Sequence, residues 1–257
     1  MTLRVATWNL DHASNSKRPI DLQVKTILGL NSDILVLTET CKEVDAALVK
    51  SGYQPYPSKP NQYGKFFSVI YLGQRVRWIE TLPTAEAICS VCVRVTTQIG
   101  EMIIYGTIIT YHGDKGRDLS NPSPAWHEHY RSIKRHGDDW VKLLGSVPII
   151  IAGDFNQTRD GSAGTYGTVE GRKLLSDELA RSNLVCLTTE NFGATGKLII
   201  DPGKGFPRNN IDHICMTLDA FKVDYVDAWD HFVSEAGVVN YLSDHNGVYV
   251  DLKKPKK

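Results

Sequence analysis

Residues 147–157 read VPIIIAGDFNQ, a stretch that begins with the apolar run of a buried β-strand. The strand leads directly into Asp154 and Asn156. On an extended backbone these two side chains point to one face, while Phe155 points to the other face and into the core. A carboxylate beside an amide at a strand end is able to orient a water molecule and hold a phosphate oxygen. The same two residues are also typical of a turn, in which they bond to loop backbone.

The rest of the chain alternates between predicted strands and predicted helices. Apolar periodicity predicts strands at residues 3–7, 33–37, 147–152, 184–187, 211–216, 223–227 and 246–252, and four consecutive strands, expected to be antiparallel, at 66–72, 75–81, 88–96 and 101–110. It predicts helices after Pro19 and at residues 42–50, 123–144 and 169–182. Gly-rich loops are predicted at 161–168 and 201–210. Two β-rich halves flanked by helices indicate an α/β fold, with two mixed sheets packed face to face inside helical layers.

The composition indicates one globular domain without net charge. Of 257 residues, 42% are hydrophobic and 23% are charged, which excludes a disordered or fibrous protein. Because no linker or repeat interrupts the chain, we expect residues 1–257 to form a single domain, with 253–257 (KKPKK) as a frayed basic tail. The 29 Lys and Arg balance 29 Asp and Glu, which argues against an overall electrostatic grip on nucleic acid but not against a local basic patch.

The sequence also bears on the cellular compartment. The N-terminus lacks the pattern of a signal peptide, and no apolar run approaches the roughly 18 residues that a membrane span requires. The five cysteines are too few and too scattered for a disulfide framework. We therefore expect a cytoplasmic protein with reduced thiols and without a membrane span.

Two further strands end in residues suited to binding a metal ion. The stretch ILVLTET places Glu39 just past a strand end, where α/β proteins tend to bind ligands. A carboxylate there suits Mg²⁺ or Ca²⁺, but Thr38, Thr40 and Glu43 equally fit a helix N-terminal capping box. Asn9 follows the first strand, a position more often held by a turn residue.

A buried carboxylate and a late histidine are predicted to form a pair. Asp212 lies in the strand pattern NNIDHICM, and it needs a partner because an unpaired buried carboxylate is unfavourable. The stretch YLSDHN supplies Asp244 and His245. By accepting a hydrogen bond from one ring nitrogen of His245, Asp212 would fix the tautomer and leave the other nitrogen for substrate. In the stretch TYHG, successive side chains alternate, so only Tyr111 or His112 is expected to face a cleft.

In this order, the segments resemble the endonuclease/exonuclease/phosphatase superfamily, the Mg²⁺-dependent phosphoesterases of deoxyribonuclease I type. The resemblance is carried by Asn9 in TWNL, Glu39 in LTET, Tyr111 and His112 in TYHG, Asp154 and Asn156 in GDFN, Asp212 in IDHI, and Ser243, Asp244 and His245 in SDHN. It implies the family's four-layer α/β/β/α sandwich, which agrees with the element pattern. Apurinic-site endonucleases usually carry Q-E-T-K after the second strand, where this chain has TETC at 38–41. They also carry a proline after the SDH-x motif, where this chain has Gly247. Both differences argue against abasic-DNA repair.

The resemblance implies a divalent-metal centre. Glu39 would be the main ligand of Mg²⁺ or Mn²⁺, and Asn9 and Asp244 would complete or support the metal shell. His112 corresponds best to the family's second histidine, with Tyr111 as the alternative because some branches have a tyrosine there.

The resemblance also implies which residues act on the phosphodiester. Asp154 would orient or deprotonate the attacking water, and Asn156 would hold the phosphate. His245, supported by Asp212, would contact the scissile phosphate. A metal and positioned donors can stabilise the charge that develops on the phosphate oxygens by several kcal/mol.

The leading hypothesis for function is a nuclease acting on DNA or RNA. Such a cleft needs basic and stacking groups, and the substrate-binding candidates are Arg159, Lys204 and Arg208, together with Lys115, Arg117, Tyr166 and Phe206. Each is also typical of an ordinary solvated loop residue. The alternative hypothesis is a phosphatase or phosphodiesterase of small phosphorylated metabolites, nucleotides or lipid headgroups. A third hypothesis is a catalytically inactive binding module. The histidines at 127–136 are expected on a polar helix face rather than at a second metal.

Overall fold

The computed structural model describes residues 1–12, 19–116, 120, 122–145, 147–159, 166–195, 197–198, 209–233 and 239–255. Strands and helices alternate along this part of the chain. In chain order they are β1 Thr2–Asn9, α1 Ile20–Gly29, β2 Ile34–Thr38, α2 Lys42–Lys50, β3 Gln54–Pro57, β4 Ser68–Leu72, β5 Arg77–Leu82, β6 Ser90–Thr97, β7 Gly100–Ile108, α3 His127–Lys142, β8 Ile149–Asp154, α4 Val169–Arg181, β9 Leu184–Cys186, β10 Asp212–Thr217, β11 Lys222–Trp229, β12 His231–Val233, β13 Val239–Tyr241 and β14 Gly247–Lys253.

Twelve of these strands form two mixed sheets of six strands each. The first sheet has the order β11-β14-β1-β2-β4-β3, and the second has the order β5-β6-β7-β8-β10-β9. Each sheet has one parallel pair at its centre, β1 with β2 and β7 with β8, and its other pairs are antiparallel. Strands β12 and β13 form a separate two-stranded ribbon.

The two six-stranded sheets pack face to face with helices outside. Buried side chains of both sheets, among them Val5, Val36, Ile104 and Ile150, form one core cluster between the sheets. Helices α1 and α2 cover the outer face of the first sheet, and α3 and α4 cover that of the second. Fully burying each large aliphatic side chain contributes roughly 1.5–3 kcal/mol. The predicted four-layer α/β/β/α sandwich is confirmed.

Strand ends from both sheets meet at one edge of the sandwich. Parallel strands β1 and β2 end side by side, with Asn9 opposite Thr38. In the second sheet, β8 ends at Asp154, which lies opposite Asp212, the first residue of antiparallel β10. A hydrogen bond from Asn9 to Asp154 joins the two edges. The residues predicted to carry chemistry therefore converge because of strand polarity.

The structure corrects the prediction of four consecutive antiparallel strands between residues 66 and 110. Strand β4 pairs with β2 in the first sheet, whereas β5 begins the second sheet. The chain crosses between them through a turn at Gly73, whose N–H donates to Asp33 O. The apolar alternation predicts a strand but carries no information on its partner. Strand β3 is not among the predicted strands. It contains Pro55 and Pro57, which are tolerated because β3 lies at a sheet edge.

The predicted bounds of one helix and of the C-terminal tail also differ from the structure. The helix expected at 123–144 begins only at His127, because Trp126 has a φ of +70°, which a right-handed helix does not allow. Lys253, expected in the frayed tail at 253–257, instead ends β14 opposite Thr2, and its Nζ lies 2.8 Å from Asp224; residues 256–257 lie outside the described residues. Residues 161–165 and 201–208 of the two predicted loops lie outside the described residues. No helix in the described part of the chain is long and apolar enough to span a membrane.

Candidate active site

A cavity of about 360 Å³ opens where the strand ends meet, a volume within the roughly 300–1,000 Å³ typical of ligand sites. Residues named from the sequence make up much of its wall: Asn9, Glu39, Tyr111, Asp154, Asn156, Asp244 and His245. Asp212 contacts this wall through its hydrogen bond with His245. The structure thus brings most of the predicted site residues into one cleft.

Asp154 is held by two asparagines. Asn9 Nδ2 donates to Asp154 Oδ2 at 3.1 Å, and Asn156 Nδ2 donates to the same oxygen at 3.1 Å. The backbone N–H of Asn156 donates to Asp154 Oδ1 at 2.8 Å, while its side-chain amide also donates to Ile109 O at 2.8 Å. Asn156 has a φ of +49°, which asparagine tolerates better than most residues. The turn and the candidate site, which the sequence left as alternatives, are therefore the same structure.

Gly153 allows β8 to approach β7 directly before Asp154. Its φ is +146°, and a Cβ at this position would lie only 1.8 Å from Thr107 O. No side chain fits at that distance, so glycine is required here. The close approach sets the position from which Asp154 enters the cavity.

His245 and Asp212 form the predicted pair. His245 Nδ1 lies 2.6 Å from Asp212 Oδ2, and the carboxylate is almost completely buried. Burial disfavours the charged ring of His245, but the negative charges of Asp212 and Asp154 outweigh this effect and raise its pKa to about 10. Ser243 fixes the loop, because its Oγ donates to Asn9 O at 2.7 Å and accepts the His245 N–H at 3.1 Å.

Two carboxyl groups of the cavity, those of Asp154 and Glu39, have raised pKa values. Burial, followed by the charges of Asp212 and Glu39, raises the pKa of Asp154 to about 7, although His245 and the Asn156 N–H oppose the shift. Burial also raises the pKa of Glu39, against the opposing effects of nearby histidines and of a side-chain hydrogen bond with Asn9. Several carboxyl groups therefore share a poorly solvated space.

The donor set fits a divalent cation. Asp154, Asp212 and His245 each offer a ligand atom, and these atoms all lie within 4.8 Å of one another. Asp212 Oδ1 is buried and has no hydrogen-bond partner among the described residues. This cluster differs from the ligand set implied by the resemblance, whose Glu39 and Asp244 lie on the same cavity wall. Carboxylate oxygens are the ligands that hard cations prefer, and a cation would offset the surplus of acidic groups.

Glu39 is positioned by the backbone and has a neighbour that was not predicted. It has a φ of +51°, and its backbone oxygen accepts the His12 N–H at 2.9 Å. His12 Nε2 lies 3.5 Å from Glu39 Oε2. The capping-box alternative is wrong, because α2 begins after Cys41 without a side-chain cap and Thr40 Oγ1 donates to Asp45 instead. His12 is not among the site residues predicted from the sequence. The signal that could have indicated it is its position, three residues after Asn9.

Tyr111 and His112 take different positions, as alternation predicted. Tyr111 lines the cavity and is 52% exposed. The ring of His112 lies instead beside Trp126 and Tyr166, and its Nδ1 is 3.1 Å from the Tyr166 hydroxyl. The side chain that reaches the cavity is therefore Tyr111.

Within the described part of the chain, no predicted substrate-binding lysine or arginine lines the cavity. Arg159 is tied to α4, because its Nη1 donates to Ser176 Oγ at 2.8 Å and to Arg172 O at 3.4 Å. Lys204 and Arg208 lie outside the described residues, as do Arg117 and Phe206.

The histidines of α3 correct another expectation. His129 and His136 do not lie on a polar helix face but are completely buried. His129 Nδ1 contacts Thr110 O at 2.5 Å, and His136 Nδ1 contacts the Tyr105 hydroxyl at 2.9 Å. Their ring nitrogens are used in hydrogen bonds within the fold.

Comparison with known proteins identifies sequence and fold relatives. The sequence model of the Endonuclease/Exonuclease/phosphatase family matches residues 6–245. A comparison with curated proteins gives no match.

Several solved structures share the fold at low sequence identity. D. rerio TDP2, complexed with a single-strand DNA product, aligns with a TM-score of 0.66 at 16% identity over 98% of this chain and 99% of that chain. The endonuclease domain of TRAS1, a telomere-specific non-LTR retrotransposon, aligns at 0.65 and 19% identity over 100% of both chains. The human Nocturnin catalytic domain with bound sulfate aligns at 0.64 and 17% identity, over 98% and 94%.

Proposed function

The chain belongs to the endonuclease/exonuclease/phosphatase family, and from this premise we propose that it is a nuclease that hydrolyses phosphodiester bonds of DNA or RNA with Mg²⁺ or Mn²⁺. The observation that carries the proposal is the meeting of Asp154, Asp212 and His245 within 4.8 Å of one another, in the cleft that Glu39 also lines. The carboxylates supply oxygen ligands for a cation, and the protonated His245 ring serves as a hydrogen-bond donor rather than as a metal ligand. A base, an acid and a set of oxygen ligands in one cleft are what metal-assisted hydrolysis of a phosphodiester requires.

Asp154 is the candidate for activating water. Its pKa of about 7 lets the carboxylate accept a proton near neutral pH, whereas an ordinary aspartate is a much weaker base. Water attacks the phosphorus and its proton passes to Asp154. The bond from phosphorus to the leaving oxygen breaks, and this oxygen takes a proton from solvent and departs as an alcohol. Glu39 lines the same cavity and adds a second carboxylate for holding a cation.

The two asparagines act on Asp154 in this proposal. Both amide hydrogens of Asn156 are used, one by Asp154 and one by Ile109 O. Asn9 also donates to Asp154. We therefore assign Asn9 and Asn156 to positioning the general base, which differs from the phosphate-holding role that the resemblance implies for Asn156.

His245 is the candidate for stabilising charge on the phosphate. Its pKa of about 10 keeps the ring protonated at neutral pH, and Nδ1 is held by Asp212, so Nε2 is the nitrogen left to donate to a phosphate oxygen. When bound, a divalent cation supplies Lewis-acid stabilisation of the same developing charge.

Nucleic acid is the favoured substrate class. TDP2 in complex with a single-strand DNA product and the TRAS1 endonuclease domain share this fold, and the chain adds an aromatic cavity wall at Tyr111. We propose one catalytic domain over residues 1–257. The cytoplasmic location stays a prediction that the free cysteines support.

The test is a substrate panel. Purified protein with Mg²⁺ or Mn²⁺ should cleave at least one of plasmid DNA, single-stranded DNA, RNA and bis-p-nitrophenyl phosphate, and EDTA should stop the cleavage. Asp154→Asn should lose activity by about 10²–10⁴-fold. Asp177→Asn is the matched control, because Asp177 is an exposed aspartate on α4 that pairs with Lys173.

Each outcome of the panel bears on a different function. If a panel of phosphomonoesters is hydrolysed while every phosphodiester stays intact, the protein is a phosphatase and the nuclease proposal fails. If nothing is hydrolysed but single-stranded DNA binds, the protein is a binding module.

A further inference from the structure

Four aromatic residues form a continuous surface beside the candidate catalytic residues. We call Tyr111, His112, Trp126 and Tyr166 the aromatic wall. The Tyr111 and His112 rings meet edge to face at 5.7 Å, and His112 lies 5.4 Å from Trp126 and 6.1 Å from Tyr166. Trp126 and Tyr166 are 5.7 Å apart, which closes the cluster. Only Tyr111 of this set lines the cavity that contains Asp154.

The aromatic wall is held in place by backbone and side-chain bonds. The N–H of Trp126 donates to His112 O at 3.0 Å, and Trp126 O accepts the N–H of Tyr130 at 3.0 Å. Trp126 has a φ of +70°, a strained value for a bulky side chain that persists only where its surroundings determine it. The contact between His112 Nδ1 and the Tyr166 hydroxyl at 3.1 Å fixes the rings relative to one another.

Gly113 lets the Tyr111 ring lie against the chain. A Cβ at Gly113 would stand 2.6 Å from Tyr111 Cε2 and 3.3 Å from Cζ, so a larger residue would displace the ring. Because Tyr111 lines the cavity and remains 52% exposed, about half of its side chain is open to a ligand. The structure therefore presents a preformed aromatic surface at the cleft rather than a buried core residue.

We propose that Tyr111 is a stacking subsite for an unpaired nucleobase, the base of the nucleotide that carries the scissile phosphate. The inference rests on the proposed function and adds the specificity element to it. A tyrosine ring stacks on any base through its π-face, which typically strengthens binding by roughly 10- to 100-fold per base. A base inside a duplex has both faces covered by its neighbours, so Tyr111 selects single strands, frayed ends or mononucleotides.

The experiment compares two phosphodiesters that differ by a base. Thymidine 5′-p-nitrophenyl phosphate carries one, methyl p-nitrophenyl phosphate carries none, and both release the same p-nitrophenolate. In the wild type with Mn²⁺, we expect KM to be lower for the thymidine ester. Tyr111→Ala should raise the ratio of the two KM values, thymidine over methyl, by roughly 10- to 100-fold.

Two further variants separate stacking from other roles. Tyr111→Phe keeps the ring and loses the hydroxyl, so it should restore the wild-type KM ratio. Tyr225→Ala removes an exposed tyrosine of β11 and is the matched control. The proposal is overturned if Tyr111→Ala changes both esters equally, which indicates a general structural effect. It is also overturned if Tyr111→Phe loses as much as Tyr111→Ala, which indicates a hydroxyl contact to phosphate.

Binding without turnover keeps the subsite test independent of catalysis. In Ca²⁺, calorimetry should show that thymidine 5′-monophosphate binds the wild type more tightly than ribose 5-phosphate does, and that Tyr111→Ala removes the difference. If no ester is hydrolysed but this difference is present, the proposed function fails and the stacking subsite stands. A single-stranded thymidine decamer that binds no more tightly than the monophosphate identifies a mononucleotide, rather than a strand, as the ligand.

Discussion

His245 Nδ1 lies 2.6 Å from Asp212 Oδ2, although the two residues are 33 positions apart in the sequence. The contact joins the start of β10 to the loop before β14, and it determines which ring nitrogen of His245 remains available. A buried carboxylate in this position keeps the imidazole in one orientation and stabilises its protonated form.

We expect Asp212→Asn to lower kcat by about 10²–10⁴-fold, because the asparagine cannot stabilise the protonated ring. The pKa of His245 should fall, since its rise to about 10 depends on the negative charges of Asp212 and Asp154. In a pH–rate profile of the variant's residual activity, the alkaline limb should therefore move to lower pH. An unchanged kcat with an unchanged alkaline limb would contradict the role of this pair, and Asp177→Asn provides the control for loss of a carboxylate.

Metal binding should be visible as stabilisation of the folded protein. A cation that binds only the native state at 100 times its Kd adds about 2.7 kcal/mol, which for a chain of this size raises Tm by roughly 5–10 °C. We expect this rise with Mn²⁺ in the wild type, its reversal by EDTA, and its loss in Glu39→Gln. Glu170→Gln, which alters an exposed glutamate of α4, should keep the full rise. The same rise in Glu39→Gln would remove Glu39 from the ligand set.

Gly153 gives a sharp test of how the strand positions Asp154. Its φ is +146° and an added Cβ would lie only 1.8 Å from Thr107 O, so alanine cannot fit without separating β8 from β7. We expect Gly153→Ala to lower the free energy of unfolding by more than about 2 kcal/mol, measured with urea, and to abolish activity. Gly29→Ala is the control, because apart from the adjacent backbone of α1 nothing lies within 4 Å of its added Cβ, and it should be neutral or stabilise by up to about 1 kcal/mol.

The sequence predicted those parts of the site that burial and chemistry constrain strongly. Asp212 could be given a partner because a lone carboxylate inside an apolar strand is costly, and His245 is that partner. Asp154 and Asn156 could be placed at a strand end because the apolar run before them is unmistakable. The sandwich followed from the alternation of strands and helices together with the order of the motifs.

Other features depended on backbone angles that the sequence does not display. Glu39, His12 and Asn156 all have positive φ, so the directions of their side chains could not be derived from strand alternation. The partner of β4 depends on long-range contacts with β2, which a local pattern does not encode. Trp126 delays the start of the predicted helix for the same reason. Its left-handed backbone places its ring beside His112 in the aromatic wall, which apolar periodicity does not predict.

His136 should make stability depend on pH independently of the candidate active site. The ring is completely buried, with Nδ1 at 2.9 Å from the Tyr105 hydroxyl and Nε2 at 3.3 Å from Thr107 Oγ1. Burial, with a smaller effect from the charge of Arg135, lowers its pKa to about 3. In the unfolded chain a histidine has a pKa of about 6.5. Between about pH 6.5 and pH 3 the ring is therefore protonated in the unfolded chain and neutral in the folded chain. Stability is present above about pH 6.5 and is lost as the pH falls through this window.

Urea unfolding at pH 7.5 and pH 5.0 measures this contribution. Between these two values the wild type should lose about 2 kcal/mol more than His136→Gln, because the glutamine does not titrate. His127→Gln, which changes an exposed histidine at the start of the same helix, should keep the wild-type loss. Other titrating groups are common to all three proteins, so they cancel in the comparison. Equal losses in the wild type and His136→Gln would show that the buried ring takes up its proton without unfolding the chain.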